Sequence, residues 1–238
     1  MIGRRWLWRA IAFAVMTAAV VVVARWSTTT RYGINFQVYS RQIPLYEKAA
    51  NFISRDLQAR RLAAEVTARA TDDRACLEQI FTWVGRNVRP VPEGFPVLDD
   101  HVWNIIVRGY GAADQITEVF TLLASYSCCP ATLAELHATP TKGIMVAVVE
   151  LDGAPRVLDV VRQVIFRNET GDFASIEDLA RNPRIVTAAA GGRTPQGEPY
   201  ERYFAEIGAL RPGFERMELQ KPWQRLKGEL RRVFTLES

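Results

Sequence analysis

The stretch that most restricts how this chain can fold lies near its start, where residues 10–24 (AIAFAVMTAAVVVVA) carry no charge. Fifteen helical residues reach only about 22 Å, short of a hydrocarbon layer of roughly 30 Å. Counted from Trp6 to Trp26, the segment has 21 residues and reaches about 31 Å, which is enough. Arg9 and Arg25 can bury their stems and hold their guanidinium groups at the headgroups, where Trp6, Trp8 and Trp26 are also at home. Arg4, Arg5 and Arg9 predict an N-terminus on the cytoplasmic side, with the body of the chain across the membrane.

Three other readings fit less well. A cleavable signal peptide needs small residues in an A-x-A-like arrangement, but the exit here reads VVVARW. The pair Arg4-Arg5 is only a fragment of a twin-arginine export pattern. A buried helix of a soluble domain would not carry so polarised a charge flank. An uncleaved, single-pass anchor is therefore expected.

The anchor also explains the charge. The chain has 30 Lys and Arg against 26 Asp and Glu, a net charge of +4 over 238 residues. Arg4, Arg5, Arg9 and Arg25 account for the whole excess, because residues 1–30 contain no acid. Residues 31–238 balance, so the basic isoelectric point gives no support for a nucleic-acid partner. The 48% hydrophobic and 24% charged residues suit one globular domain.

After the anchor, Ser27-Thr28-Thr29-Thr30 reads as a short polar tether. Leu45, Ala49, Ile53, Leu57, Leu62 and Val66 follow at roughly helical spacing, predicting a helix over 44–67. Thr71-Asp72-Asp73 caps a second helix carrying Ala75, Ile80, Val84 and Val88, stopped by Pro90, Pro92, Gly94 and Pro96. Residues 97–112 read as an irregular connection. Asp114 opens a third helical run that ends before Pro130.

There the period changes from helix to strand. Residues 132–138, 144–151, 156–160 and 164–166 predict strands, with Asp152-Gly153 as a hairpin turn and a bend near Arg162. Ser175 caps a short helix to Arg181, with Asp178 at the capping-box position. A flexible loop over 191–199 and helices near 200–207 and 223–233 complete the chain. The last of these is basic, but Gly228 and Glu229 interrupt the amphipathic face that an anionic bilayer would need. Helices first and antiparallel strands after predict an α+β fold.

Cys76, Cys128 and Cys129 do not form a disulfide framework by spacing. One bond from Cys76 to either neighbour would leave a thiol over, and three small buried residues is the simpler reading. Without a CxxC or CxxH pair, no structural zinc site is expected. Asp99-Asp100-His101, with Asp114 and Glu118 downstream, offers oxygen ligands or an acid/base pair. The same residues serve equally as a capped turn, and their spacing matches no dedicated metal loop.

The order helix, Gly109-Tyr110-Gly111, helix, strand series resembles the core of the transglutaminase-like superfamily, with its papain-like catalytic arrangement. The resemblance covers about sixty residues, 108–167, and the flank 163–183 (QVIFRNETGDFASIEDLARNP) looks like its continuation in bacterial members. Family segments resemble G-x-G-x-C-D-x, then H-x8-G-x-W-x3-D. There a Cys at a helix start, a His and an Asp form the triad. Here Gly109-Tyr110-Gly111-Ala112-Ala113-Asp114-Gln115 puts Ala113 at the nucleophile position. Ile144 takes the His position, with Met145 the nearest alternative, and Pro155 replaces the Trp. Asp159 matches the acid.

The resemblance implies helices packed on an antiparallel sheet and divides the chain into four parts. These are anchor and tether (1–30), a helical part (31–107), the transglutaminase-like core (108–183), and a loop with helical tail (184–238). An Ala has no nucleophile and an Ile no exchangeable proton, so the family's acyl transfer cannot run at those positions. The expectation is a non-catalytic domain in a bacterial inner membrane, its body periplasmic, without a cofactor. It would bind a protein or polysaccharide partner in cell-envelope or exopolysaccharide assembly. Binding residues would be Trp103, Tyr110, Asp114, Gln115 and Asp159, although aromatics at the spacing of Trp103, Tyr110, Phe120 and Tyr126 also suit a core. The alternative is a hydrolase or acyltransferase with a relocated Cys129, His137 and Asp159 site, or with a metal at Asp99–His101.

Overall fold

The computed structural model of the chain describes residues 2–99 and 101–212. It opens with helix α1 (Ile2–Ala24). Residues Trp6–Ala24 of this helix are long and apolar enough to cross a membrane, and none of that span is buried against the rest of the protein.

Only Arg25 and Trp26 separate α1 from strand β1 (Ser27–Ile34), which pairs antiparallel with β2 (Gln37–Pro44). The expected tether at Ser27–Thr30 is therefore part of a hairpin. Its β-branched threonines favour extended backbone, and Asn35 and Phe36 take φ of 48° and 67°, the geometry of a two-residue hairpin turn. The division expected at residue 30 falls inside β1, and the part expected to be helical begins with this hairpin. The Leu45 amide donates to the Trp26 carbonyl at 2.8 Å, closing the hairpin's open end onto the next helix.

That helix, α2 (Leu45–Val66), is followed by α3 (Asp73–Asn87). The Asp72 side chain accepts the Ala75 amide at 2.7 Å, as an N-cap should. Two-residue strands β3 (Arg89–Pro90) and β4 (Leu98–Asp99) come next. Residues 97–112 are more ordered than their sequence suggests, because they contain a helix, α4 (Val102–Arg108). His101 caps it by accepting the Trp103 amide on Nδ1 at 3.1 Å, and Gly109 ends it with φ +73°. A His cap and seven residues leave too short a periodic signal to read. Strand β5 (Tyr110–Gly111) pairs parallel to β3 and leads into α5 (Ala113–Ser127).

The main sheet is antiparallel, in the order β6 (Ala131–Thr139), β7 (Lys142–Leu151), β8 (Ala154–Asp159), β9 (Val164–Ile165). Asp152 and Gly153 form the β7–β8 turn with φ of 54° and 71°. The chain ends its described part with α6 (Ile176–Arg181), α7 (Arg184–Ala190), α8 (Tyr200–Tyr203) and a 3-10 turn at Ile207–Ala209. Ser175 and Asp178 form the expected capping box on α6. Helix α7 has no counterpart in the sequence reading, and the helix expected near 200–207 is one short helix and the following turn. The helix expected at 223–233 lies outside the described residues.

Helices cover both faces of this sheet, which makes the α+β fold three layers deep. Ala147, Val149, Leu151 and Leu158 pack with residues of α2 to α5, including Ile116, Phe120 and Leu123. Ile144, Val146, Val148 and Val157 point the other way and pack with Leu179, Val186, Tyr200 and Tyr203. This explains the unbroken apolar run 144–149 in β7, since a strand covered on both faces has no solvent side to alternate with.

The cysteines correct the sequence reading. Cys76 in α3 and Cys128 at the end of α5 form a disulfide, with Cα atoms 6.3 Å apart, and Cys129 is left free and buried. Side-by-side packing of α3 and α5 brings the first turn of one against the last turn of the other. Nothing in the spacing of 52 residues announces that contact.

Candidate functional site at the start of α5

The segment Gly109-Tyr110-Gly111 is shaped by its glycines. Gly109 occupies left-handed backbone, which costs any L side chain. A Cβ on Gly111 would lie 3.0 Å from the Gln115 Cβ and 3.1 Å from an Ile105 methyl. The chain can therefore turn from α4 into α5 only with the helix start held close to α4.

Polar groups fix that junction. The Ala112 amide donates to Gln115 Oε1 at 3.1 Å, and Gln115 Nε2 donates to the Leu98 carbonyl at 2.7 Å. Arg108 Nη2 donates to the same carbonyl at 2.9 Å and to Gln115 Oε1 at 3.2 Å, while its Nε donates to the Tyr110 carbonyl at 3.0 Å. The Arg108 guanidinium also lies over the Tyr110 ring, 5.5 Å from its centre. Gln115 is thus a buried stitch, 5% exposed, with its amide used up internally.

The other expected site residues separate into different environments. Ala113, half-buried, is the first residue of α5, and Asp114 beside it is exposed. Trp103 is partly buried against the α5 side of the core. Ile144 is 2% exposed and sits in the opposite core. Alternation along β7 puts Met145, not Ile144, on the face that α5 covers.

Asp159 is also on the far face. It is fully buried, accepts the Arg162 amide at 2.9 Å and its guanidinium at 3.0 Å, and accepts the Tyr200 hydroxyl at 2.6 Å. Burial first, then the Asp159 charge, pushes the Tyr200 phenol well above its usual range. The structure therefore brings Tyr110 and Gln115 together with Arg108, leaves Asp114 at the rim, and does not bring Ile144 or Asp159 to Ala113. Arg108 and Tyr200 were missed from sequence. Asp159-x-x-Arg162 at a strand end is a readable turn signal, whereas the Tyr200 contact spans 41 residues.

The relocated site is not assembled either. Cys129 precedes β6, and His137 lies near the other end of that strand, about 20 Å along it. His137 is half-exposed and faces Glu135 at 3.5 Å. Burial, with Asp73 and Glu150 nearby, pushes the Cys129 thiol up to about 12, the reverse of an activated thiolate. Of the acidic turn, Asp99 lies in β4 opposite Gly33, His101 caps α4, and Asp100 lies outside the described residues. Among the described residues no group of three His, Cys, Asp or Glu side chains converges to hold a metal. A cavity of about 320 Å³ lies elsewhere, among α6, α7, α8 and the turn after it, lined by Leu179, Val186, Phe204 and Ala209 with Glu201 and Glu206.

No family model matches the chain, and no curated protein matches it significantly. Among solved structures, it is similar in part to a candidate cysteine protease from Cytophaga hutchinsonii, at 14% identity and TM-score 0.41 over 52% of this chain and 45% of that one. It is similar to a TGase at 12% identity and TM-score 0.38, over 56% of this chain and 43% of that one. A candidate protease from Parabacteroides distasonis matches at 12% identity and TM-score 0.35, over 56% of this chain and 35% of that one. The chain spans less than half the length of each.

Proposed function

We propose that this chain is a membrane-anchored domain of transglutaminase-like arrangement that works by binding a partner and does not transfer acyl groups. The observation that carries the reading is the start of α5. A glycine-held turn delivers a helix N-terminus at which an activated thiol would sit, and the side chain there is the methyl group of Ala113. The remaining chemistry is committed elsewhere: Asp159 to Arg162 and Tyr200, and the Cys129 thiol to a buried, protonated state.

A binding surface on this domain would use the rim of that junction, with Asp114 exposed and Tyr110 and Trp103 partly so. Gln115 supports the rim from beneath. The partner would be a protein or polysaccharide of envelope or exopolysaccharide assembly. Helix α1 would hold the domain at a bacterial inner membrane, facing the periplasm, where the Cys76–Cys128 disulfide suits an oxidising compartment.

Two measurements test this. Protease added outside sealed inner-membrane vesicles of cytoplasmic orientation should leave the body intact, and digestion there would overturn the topology. Full-length protein in detergent should exchange no amine into a glutaminyl peptide. Turnover that disappears in Cys129→Ser or His137→Ala would overturn the binding reading and restore the enzyme.

A further inference from the structure

The sequence balances its charge over residues 31–238, but the fold does not spread that balance evenly. No acidic residue precedes Glu47, so the β1–β2 hairpin carries Arg31 and Arg41 without a carboxylate, and Arg25 leads into it. None of these three has an ion-pair partner among the described residues. The hairpin is unusual in its apolar groups too. Among the described residues beyond α1, eleven large hydrophobic side chains are exposed, and six belong to residues 26–39: Trp26, Tyr32, Ile34, Phe36, Val38 and Tyr39. Phe36, at the turn, is 90% exposed. A water-facing hairpin of a soluble domain would carry polar side chains on its open face.

Its position supplies the reason. β1 starts three residues after the last residue of α1, and the Trp26 carbonyl is held by the Leu45 amide. No flexible linker intervenes, so the hairpin's open end sits where α1 leaves the bilayer. Eight residues per strand carry the aromatic groups about 27 Å from there to the turn. Trp26 at the open end and Tyr32, Phe36 and Tyr39 at the turn end, with Arg31 and Arg41 between them, match the interfacial layer of a bilayer, where amphipathic rings sit among headgroups and guanidinium groups pair with phosphate.

We propose that the β1–β2 hairpin is a second membrane contact, lying along the bilayer surface with the free edge of β2 toward the headgroups, so that Arg31 and Arg41, on opposite faces of the ribbon by their pairing with Ser40 and Thr30, join Arg25 in taking the phosphate groups of anionic phospholipids. Charge decides against a second copy of the chain as the occupant. A two-fold contact through the β2 edge of this hairpin sets arginines against arginines, because the carboxylate of the adjoining strand, Asp99, lies beside Gly33 on the opposite side of β1. The turn also pairs with the segment before α4, since Gly33 and Ile34 meet Asp99 and Leu98, and Leu98 holds Gln115 and Arg108. A hairpin lying on the bilayer therefore fixes the start of α5 near the headgroups.

The inference rests on α1 crossing the membrane. Full-length protein is placed at one copy per nanodisc, with a spin label on Val38→Cys, and its accessibility to a water-soluble nickel chelate is read in phosphatidylcholine discs with and without phosphatidylglycerol. Accessibility should fall at least threefold with the anionic lipid, and Arg31→Glu with Arg41→Glu, or 0.5 M salt, should restore it. Retained midpoints of thermal unfolding show that the variants fold. No dependence on the anionic lipid overturns the inference, as does protection that appears only with two copies per disc or only when an acidic polypeptide is added. Failure of the chain to enter discs at all would instead overturn the anchor.

Discussion

Asp159 is where the structure makes its sharpest quantitative demand. As the acid of a vestigial site it would be dispensable for folding. As observed, it is a buried carboxylate meeting two donors from Arg162 and one from Tyr200. Replacing Asp159 by Ala strands a buried hydroxyl and a mostly buried guanidinium, a loss of about 3–5 kcal/mol. Tyr200→Phe keeps the ring in place and removes only the hydroxyl's hydrogen bond to a charged group, about 1.5–3 kcal/mol. In the double variant the Asp159 substitution no longer orphans the hydroxyl, so the two losses should fall short of additivity by roughly 1–2 kcal/mol. Urea unfolding of full-length protein in detergent, followed by tryptophan fluorescence, reads all three. A loss below about 1 kcal/mol for Asp159→Ala, or strict additivity with Tyr200→Phe, would refute the reasoning.

Three further outcomes follow from the same packing. Cys76→Ser with Cys128→Ser opens a loop of 52 residues and should cost about 4 kcal/mol by chain entropy, read as a lowered denaturation midpoint. Native protein at pH 8 should leave Cys129 unmodified by iodoacetamide, because the thiol is held up at about 12, and mass spectrometry after unfolding should find one alkylated site in the unreduced chain. Asp178 is held below the usual carboxylate range, chiefly by the Ser175 amide. A depressed folded pKa stabilises above the unfolded value, about 3.9, and that gain fades as pH falls through the folded value. Asp178→Asn should therefore cost about 1 kcal/mol at pH 7 and become indistinguishable from the parent in acid, as compared by thermal melts across pH.

Much of the fold was legible wherever one residue pattern served one local purpose. The α2 and α3 helices, the α5 helix and the four strands of the main sheet follow from periodicity. The caps at Asp72 and Ser175 and the turn at Asp152-Gly153 follow from side chains that bond their own neighbourhood. Helix α4 was hidden because its cap is a histidine and its 7 residues, mostly apolar, are too few to show a helical period. The hairpin at Ser27–Pro44 was hidden because a run of Ser and Thr reads as linker until its partner strand is known.

The candidate site divides along the same line. By itself the sequence determined that a helix starts beside Ala113, that no thiol stands there, and that a charge-flanked apolar helix precedes the body. Those are properties of residue identity, and folding cannot add a missing atom. Only the tertiary structure decided that Asp159 and Ile144 face away from α5, that Cys76 reaches Cys128, and that Gln115 is consumed in a hydrogen-bond junction. Which face of a strand a residue takes shifts with a register of one, and which helix turns meet depends on packing across dozens of residues. Local chemistry is written in order along the chain, whereas those contacts exist only once the layers close.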